Sequence, residues 1–177
     1  MPSGGRASSD RLIVERHAAR LVLIADGAVL LIRACDPAAP ERGEWWFTPG
    51  GGVEAGESLE EAASREAREE TGFVVAPDAV GPVVATRESW FEFDHVHYHQ
   101  TDHFFAMQVE RFAPDITDWD PLEVRALLEP RWWPVDELEA MAETLYPIRL
   151  ADLVRAVVAG PVPVPLDLTE RPDPAPA

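Results

Sequence analysis

Between Gly50 and Phe73 the chain reads GGGVEAGESLEEAASREAREETGF, three glycines followed by a short helical pattern with carboxylates where leucines are usual. Ser58 with Glu61 three residues on forms a capping-box pattern, and Gly72 stands where helices end in a left-handed residue. The spacing therefore predicts a helix from Leu59 to Thr71. On a helix turning by about 100° per residue, Leu59, Ala62, Ala63 and Ala67 share one side, the side that would pack on a core. Glu66, Glu69 and Glu70 share it too. The inward face is apolar in its first half and anionic in its second.

Carboxylates spaced i, i+3 and i+4 stand about 5–6 Å apart, and keeping them ionised together near a core is unfavourable without a cation among them. Carboxylate-rich oxygen ligation suits Mg²⁺, with Mn²⁺ as a substitute. A second reading competes. Arg65 lies four residues after Glu61 and four before Glu69, which also suits a solvated helix laced with ion pairs.

The full spacing favours the first reading. Gly51, five residues, Glu57, seven residues and then Arg65-Glu66-Ala67-Arg68-Glu69-Glu70-Thr71-Gly72-Phe73 resembles the Nudix box, the signature of hydrolases acting on nucleoside diphosphates linked to another group. Every fixed polar and glycine position is filled. Ala67 stands where the family more often has a larger aliphatic residue, a departure that touches packing and not chemistry.

The resemblance implies an α/β fold, an α/β/α sandwich around a mixed β-sheet, and metal-dependent hydrolysis of a diphosphate bond. Nucleotide sugars, dinucleoside polyphosphates, ADP-ribose and oxidised nucleoside triphosphates all fit the box. It also implies metal ligation by Glu66, Glu69, Glu70 and the Gly50 carbonyl, with Glu57 completing the shell and Arg65 orienting a glutamate. The family usually draws a further metal or base carboxylate from a loop before a late tryptophan strand. Among Asp115, Asp118, Asp120, Glu123 and Glu129, the long side chain of Glu123, in a short turn of Leu and Val, is best placed to dock over the site. The alternatives are a Nudix-fold module that senses a nucleotide without cutting it, and an acidic scaffold. An altered box would have favoured the sensor, and this one is intact.

A formal net charge of −17, with all 15 basic residues arginine, disfavours nucleic-acid polymers and anionic membranes as partners but not a small phosphorylated substrate carried in by metal ions. The single cysteine, Cys35, excludes an internal disulfide and reads as a packing residue. No apolar run approaches the ~18 residues of a membrane span, and the N-terminus lacks the apolar core of a signal peptide, so the cytoplasm is the expected compartment.

Residues Met1 to Asp10 are small and polar and read as a disordered leader; residues 11–159 read as one domain. Two β-rich runs around Asp26-Gly27 form a hairpin pattern, with Arg20 and Arg33 on its strands. Either could reach a substrate phosphate or stand as surface charge. The strand Glu44 to Thr48 runs into Pro49 and the glycines, where Gly51 and Gly52 let backbone approach the substrate. Trp45 and Trp46 are either stacking platforms for the substrate, Trp46 being the candidate, or core. Gly81 to Arg87 reads as a strand, Glu88 to Asp94 as mixed. His95, His97, His99 and His103 would share one strand face, making a rival transition-metal site, with Gln100 and Asp102 on the other. Arg131 to Val135 reads as a strand, Asp136 as a helix N-cap, and Ile148 to Ala159 as a helix with a stripe of Leu150, Leu153, Val154, Val157 and Val158. Residues 160–177 read as a proline-rich flexible tail, in which Val162 to Leu166 could cover an apolar surface or the partner of a homodimer.

Overall fold

Apolar at nearly every position, the two runs flanking Asp26-Gly27 have the pattern of strands covered on both faces. In a computed structural model, which describes residues 12–170, they form β1 (Ile13–Ala25) and β2 (Ala28–Cys35), antiparallel across a turn in which Asp26 and Gly27 both have positive φ, 50° and 72°. Two positive φ angles match the twist of such a hairpin, and Asp-Gly tolerates them. Alternate residues enter separate cores: Leu21, Leu23 and Leu30 on one side of the sheet, Val22, Ile24, Val29 and Leu31 on the other, all buried.

The remaining strands are β3 (Glu44–Phe47), β4 (Gly50–Gly52), β5 (Ala85–Phe93), β6 (Val96–Gln108), β7 (Leu127–Pro134), β8 (Thr144–Tyr146) and β9 (Leu166–Asp167). Among the described residues they make one mixed sheet in the order β8-β3-β2-β1-β6-β5-β9, with β4 added to β1 and β7 to β2. The β1–β6, β3–β8 and β5–β9 pairs are parallel.

The helix α1 occupies Leu59–Thr71 as its sequence signals predict, with both halves of the capping box formed and Gly72 left-handed at φ 72°. Ala62, Ala63 and Ala67 seat it against Ala19, Leu21 and Phe105. On the opposite face α3 (Leu150–Ala159) packs Leu150, Leu153 and Val154 onto the other core. Helices thus cover both faces of a mixed, curled sheet. A one-turn helix, α2 (Glu123–Ala126), precedes β7. No helix among the described residues is long and apolar enough to cross a membrane.

Several segments differ from their sequence reading. Of the mixed stretch Glu88 to Asp94, all but Asp94, which enters the turn at φ 46°, continues β5 and pairs with β6. His95 lies in the connecting turn at φ 68°, off the strand face that His97, His99 and His103 share. Asp136 caps no helix: β7 runs on to Pro134 and a 3₁₀ turn, Val135–Ala140, follows without a side-chain cap and buries Leu138. Helix α3 starts at Leu150, and Val158 is 57% exposed, so the buried stripe is narrower than its periodicity suggests.

The largest correction concerns the tail. Leu166–Asp167 adds a parallel strand to β5, Leu168 is fully buried, and Glu170 pairs with Arg87 at 2.8 Å. A single leucine inserted into a core outweighs the prolines around it, and no periodicity announces one residue. The leader Met1 to Asp10 and the last residues, 171–177, lie outside the described residues. Leu168→Ala should lower unfolding stability by about 2–5 kcal/mol, the usual cost of emptying a buried leucine site. Urea denaturation checks this, and an unchanged midpoint would mean the segment is as loose as its composition suggests.

Candidate active site

The site is built where β4 meets α1. Gly50, Gly51 and Gly52 pair with Arg20, Ala19 and Ala18 of β1, which brings their backbone under the helix. Gly50 has φ 133°, and a Cβ there would collide with the Ala19 carbonyl; one on Gly51 would lie 2.5 Å from Oε1 of Glu66. Only glycine lets the two segments close. The Gly50 N–H then donates to Oε2 of Glu70 at 2.6 Å.

Three carboxylates meet here, Glu66, Glu70 and Glu123, each offering an oxygen within 4.8 Å of the others. Glu123 reaches them from the first residue of α2, the turn docked as its Leu-Val composition suggested, and one of its oxygens accepts the Asp120 N–H at 2.7 Å. The group differs from the expected triad. Glu69 is drawn aside by Arg65 at 3.1 Å and Arg68 at 3.0 Å, and Glu57 is turned onto Arg65, at 2.9 and 3.0 Å through its two oxygens. Features of both readings are present: Arg65 pairs with Glu57, Glu66 and Glu69, and Glu66 and Glu70 are buried. Arg65 also donates to Glu66 at 2.8 Å and to the Gly52 carbonyl at 3.0 Å, so it ties the glycine turn to the cluster.

Burial raises the pKa of Glu66, against the pull of Arg65. Glu70, more deeply buried and beside Glu66, is raised well above the usual carboxylate range. Burial also raises Glu123, opposed by the hydrogen bond from the Asp120 N–H and helped by the neighbouring charges of Glu66 and Glu69. The Arg65 hydrogen bond holds Glu57 low. Crowded, desolvated carboxylates whose protonation is favoured by mutual repulsion are a donor set that fits a hard divalent cation.

Beside the cluster opens a cavity of about 770 Å³, walled by Arg16, Arg20, Gln100, Asp102 and Arg87 and by aromatic side chains including Trp45, Phe47 and Phe91. Gln100 and Asp102, not the histidines, thus face the cavity. Arg20 pairs with Asp102 at 3.0 Å and donates to the Gly50 carbonyl. Arg33 does not line the cavity; Glu44 at 3.0 Å and Glu129 at 3.1 Å hold it on the sheet surface. Trp46 also lies elsewhere, buried edge-on against Trp133 with ring centroids 5.2 Å apart, and its neighbour Trp45 takes the cavity side. His17 and His103 bond to each other at 3.0 Å and His99 bonds to Glu15 at 2.6 Å; among the described residues no three histidines gather as metal ligands.

Sequence reasoning missed Arg16 and Arg87. Arg16 has the strand parity of Arg20, four residues on, and that parity was the available signal.

A family model of the NUDIX domain matches residues 15–155. The Nudix hydrolase YvcI of Bacillus subtilis (strain 168) is 44% identical over 61 residues, 34% of this chain and 35% of the relative. The nucleoside triphosphatase NudI of Escherichia coli O139:H28 is 51% identical over 47 residues, 27% of this chain and 33% of the relative. The matched stretch spans about a third of each relative's length. The MutT protein of Methanosarcina mazei Go1 superposes with a TM-score of 0.59 at 21% identity, covering 83% of this chain and 95% of that one, a likeness of fold. With the domain model running from β1 into α3 and holding the whole carboxylate cluster, the chain belongs to the Nudix family.

Proposed function

We propose that the protein is a Mg²⁺-dependent pyrophosphohydrolase, with Mn²⁺ as a substitute, that cleaves the diphosphate of a nucleotide linked to a further group. The observation that carries this reading is the gathering of Glu66, Glu70 and Glu123 within 4.8 Å at the end of a cavity of about 770 Å³. The nucleotide classes that fit are sugar nucleotides, dinucleoside polyphosphates, ADP-ribose and nucleoside triphosphates, the last in keeping with the partial similarity to NudI, a nucleoside triphosphatase. A small-molecule partner and a cytoplasmic location belong to the same reading.

Glu66, Glu70 and Glu123 would hold the cation, and the Gly50 carbonyl would join them only in place of the bond it accepts from Arg20. When bound, the cation supplies neutralisation of the diphosphate and acidification of a water. The chain's own residues do the rest. Arg65, locked by Glu57, fixes the Glu66 carboxylate through a charge-assisted bond. The Gly50 N–H fixes Glu70. Glu123, whose carboxylate burial makes more basic than an exposed one, would accept the proton of the water that attacks phosphorus as the bond to the bridging oxygen breaks.

A panel of diphosphate compounds with Mg²⁺ or Mn²⁺, scored by the masses of both products, tests the reading. Turnover should vanish with a chelator and return with Mg²⁺. Zinc restoring activity where Mg²⁺ does not would contradict the Mg²⁺ assignment. Glu70→Gln should reduce turnover by about 10²-fold or more. Glu123→Gln should slow it at least ~10-fold with KM little changed, as for a group acting in the transition state. Near-normal rates in both variants would sink the assignment.

The raised Glu70 pKa also predicts a stability effect. The folded state binds this proton more tightly than the unfolded chain, so a penalty is present in full above the raised value and disappears as pH falls towards 4.5. Without metal, Glu70→Gln should therefore melt at or above the wild-type temperature at neutral pH, and any advantage should shrink on acidification. Thermal melts in chelator across this range check the sign; a lower-melting variant at neutral pH would contradict it.

A further inference from the structure

Four arginines line the cavity, and three of them already face carboxylates. Arg20 pairs with Asp102, Arg42 with Asp36 and Glu92, and Arg87 with Asp102 and Glu170. Arg16 forms no ion pair among the described residues. Its Nε donates to Oε1 of Gln100 at 2.6 Å and its guanidinium carbon lies 4.1 Å from the centre of the Tyr98 ring, while its two terminal nitrogens have no hydrogen-bond partner among the described residues.

That arrangement is fixed from behind. Gln100 is 2% exposed, and its Nε2 donates to Oδ1 of Asp102 at 2.7 Å, so its amide must present oxygen to Arg16. Asp102 in turn takes the Nε of Arg20 at 3.0 Å. The back wall thus consumes the Nε of Arg16 and aims its remaining fork at the cavity. The fork borders the glycine turn: Nη1 lies 3.8 Å from where a Cβ on Gly52 would stand. Burial and then the neighbouring Arg20 lower the Arg16 pKa, against the opposing pull of Tyr98, Asp102 and Glu66.

We infer that Arg16 binds an anionic oxygen pair of the substrate, on the phosphoryl group that is not attacked, and that Gln100 is its positioning residue. The inference deepens the proposed function and rests on the reading of the cavity as a diphosphate site. A planar fork held at Nε and stacked on a ring is organised for two parallel hydrogen bonds to a phosphoryl group, a geometry that lysine does not reproduce. Because the contact is made equally in the bound and the reacting substrate, it acts on KM and leaves kcat.

The test uses the full chain with Mg²⁺ and methylenediphosphonate, a diphosphate mimic that cannot be hydrolysed, titrated by calorimetry. Arg16→Gln should weaken binding about tenfold or more, and Arg16→Lys should recover only part of the loss. Gln100→Leu, with Arg16 intact, should weaken binding by about threefold, and a purely structural role for Gln100 would lower the melting temperature without moving affinity. With any compound the wild type turns over, Arg16→Gln should raise KM by the same factor and hold kcat within about twofold. Wild-type protein that fails to bind the probe, or Arg16→Lys binding it as the wild type does, overturns the inference; the lysine variant decides if Arg16→Gln does not fold. Probe binding that depends on Arg16 in a protein that cleaves nothing would overturn the hydrolase and leave the anion site standing. Cleavage with affinity indifferent to Arg16 would do the reverse.

Discussion

A carboxylate buried as deeply as Glu70 has to be met by a donor, and the donor is the Gly50 N–H, 2.6 Å from Oε2. Much of the architecture serves that one bond. Gly50 can offer its N–H because it adopts φ 133°, and it is held there by pairing with Arg20 of β1, a strand fixed in turn by β2, β4 and β6. The sheet interior and the site are therefore one continuous structure. A shift of β1 would move the glycines away from the helix and leave Glu70 buried without its donor.

Helix α1 has to lie close for this to work, and its composition allows it. Ala62, Ala63 and Ala67 are fully buried, and such small side chains let the helix approach the sheet until Glu66 touches the backbone of Gly51. A larger aliphatic residue at 67 would need compensation from Leu21 or Phe105, which share its core. The helix also divides its carboxylates by use. Arg65 and Arg68 stabilise Glu69 as an ion pair and Arg65 also meets Glu66, whereas Glu70 carries a desolvation cost that no cation in direct contact offsets among the described residues.

What the sequence made legible follows from what is local. The capping box, the left-handed glycine and the Asp-Gly hairpin each satisfy backbone groups within a few residues, and all three form where the sequence places them. The approach of Glu123 was legible because few carboxylates precede the tryptophan strand and only one combines reach with an apolar turn. The rest depends on contacts between distant segments. Arg33 and Arg20 look alike on their strands, but a pairing with β7 places Glu129 beside the first and one with β6 places Asp102 beside the second. Trp45 and Trp46 are adjacent aromatics whose fates are decided by strand parity relative to a core that only the assembled sheet defines. The insertion of Leu168 is legible only once β5 has an open side for β9.

The charge distribution joins these observations. With a net charge of −17 the surface repels an anionic substrate at long range, yet at physiological ionic strength that field decays over about 8 Å. Within the cavity, Arg20, Arg42 and Arg87 do not correct the balance, since their charges are matched by Asp102, Asp36, Glu92 and Glu170. Under the proposed reading, two sources of positive charge remain for an anionic ligand. One is a cation among Glu66, Glu70 and Glu123, and the other is Arg16, whose terminal nitrogens are uncommitted. The two lie beside adjacent glycines, Glu66 against Gly51 and Arg16 near Gly52, so the glycine turn that brings the helix to the sheet also sets the positive fork beside the anionic cluster.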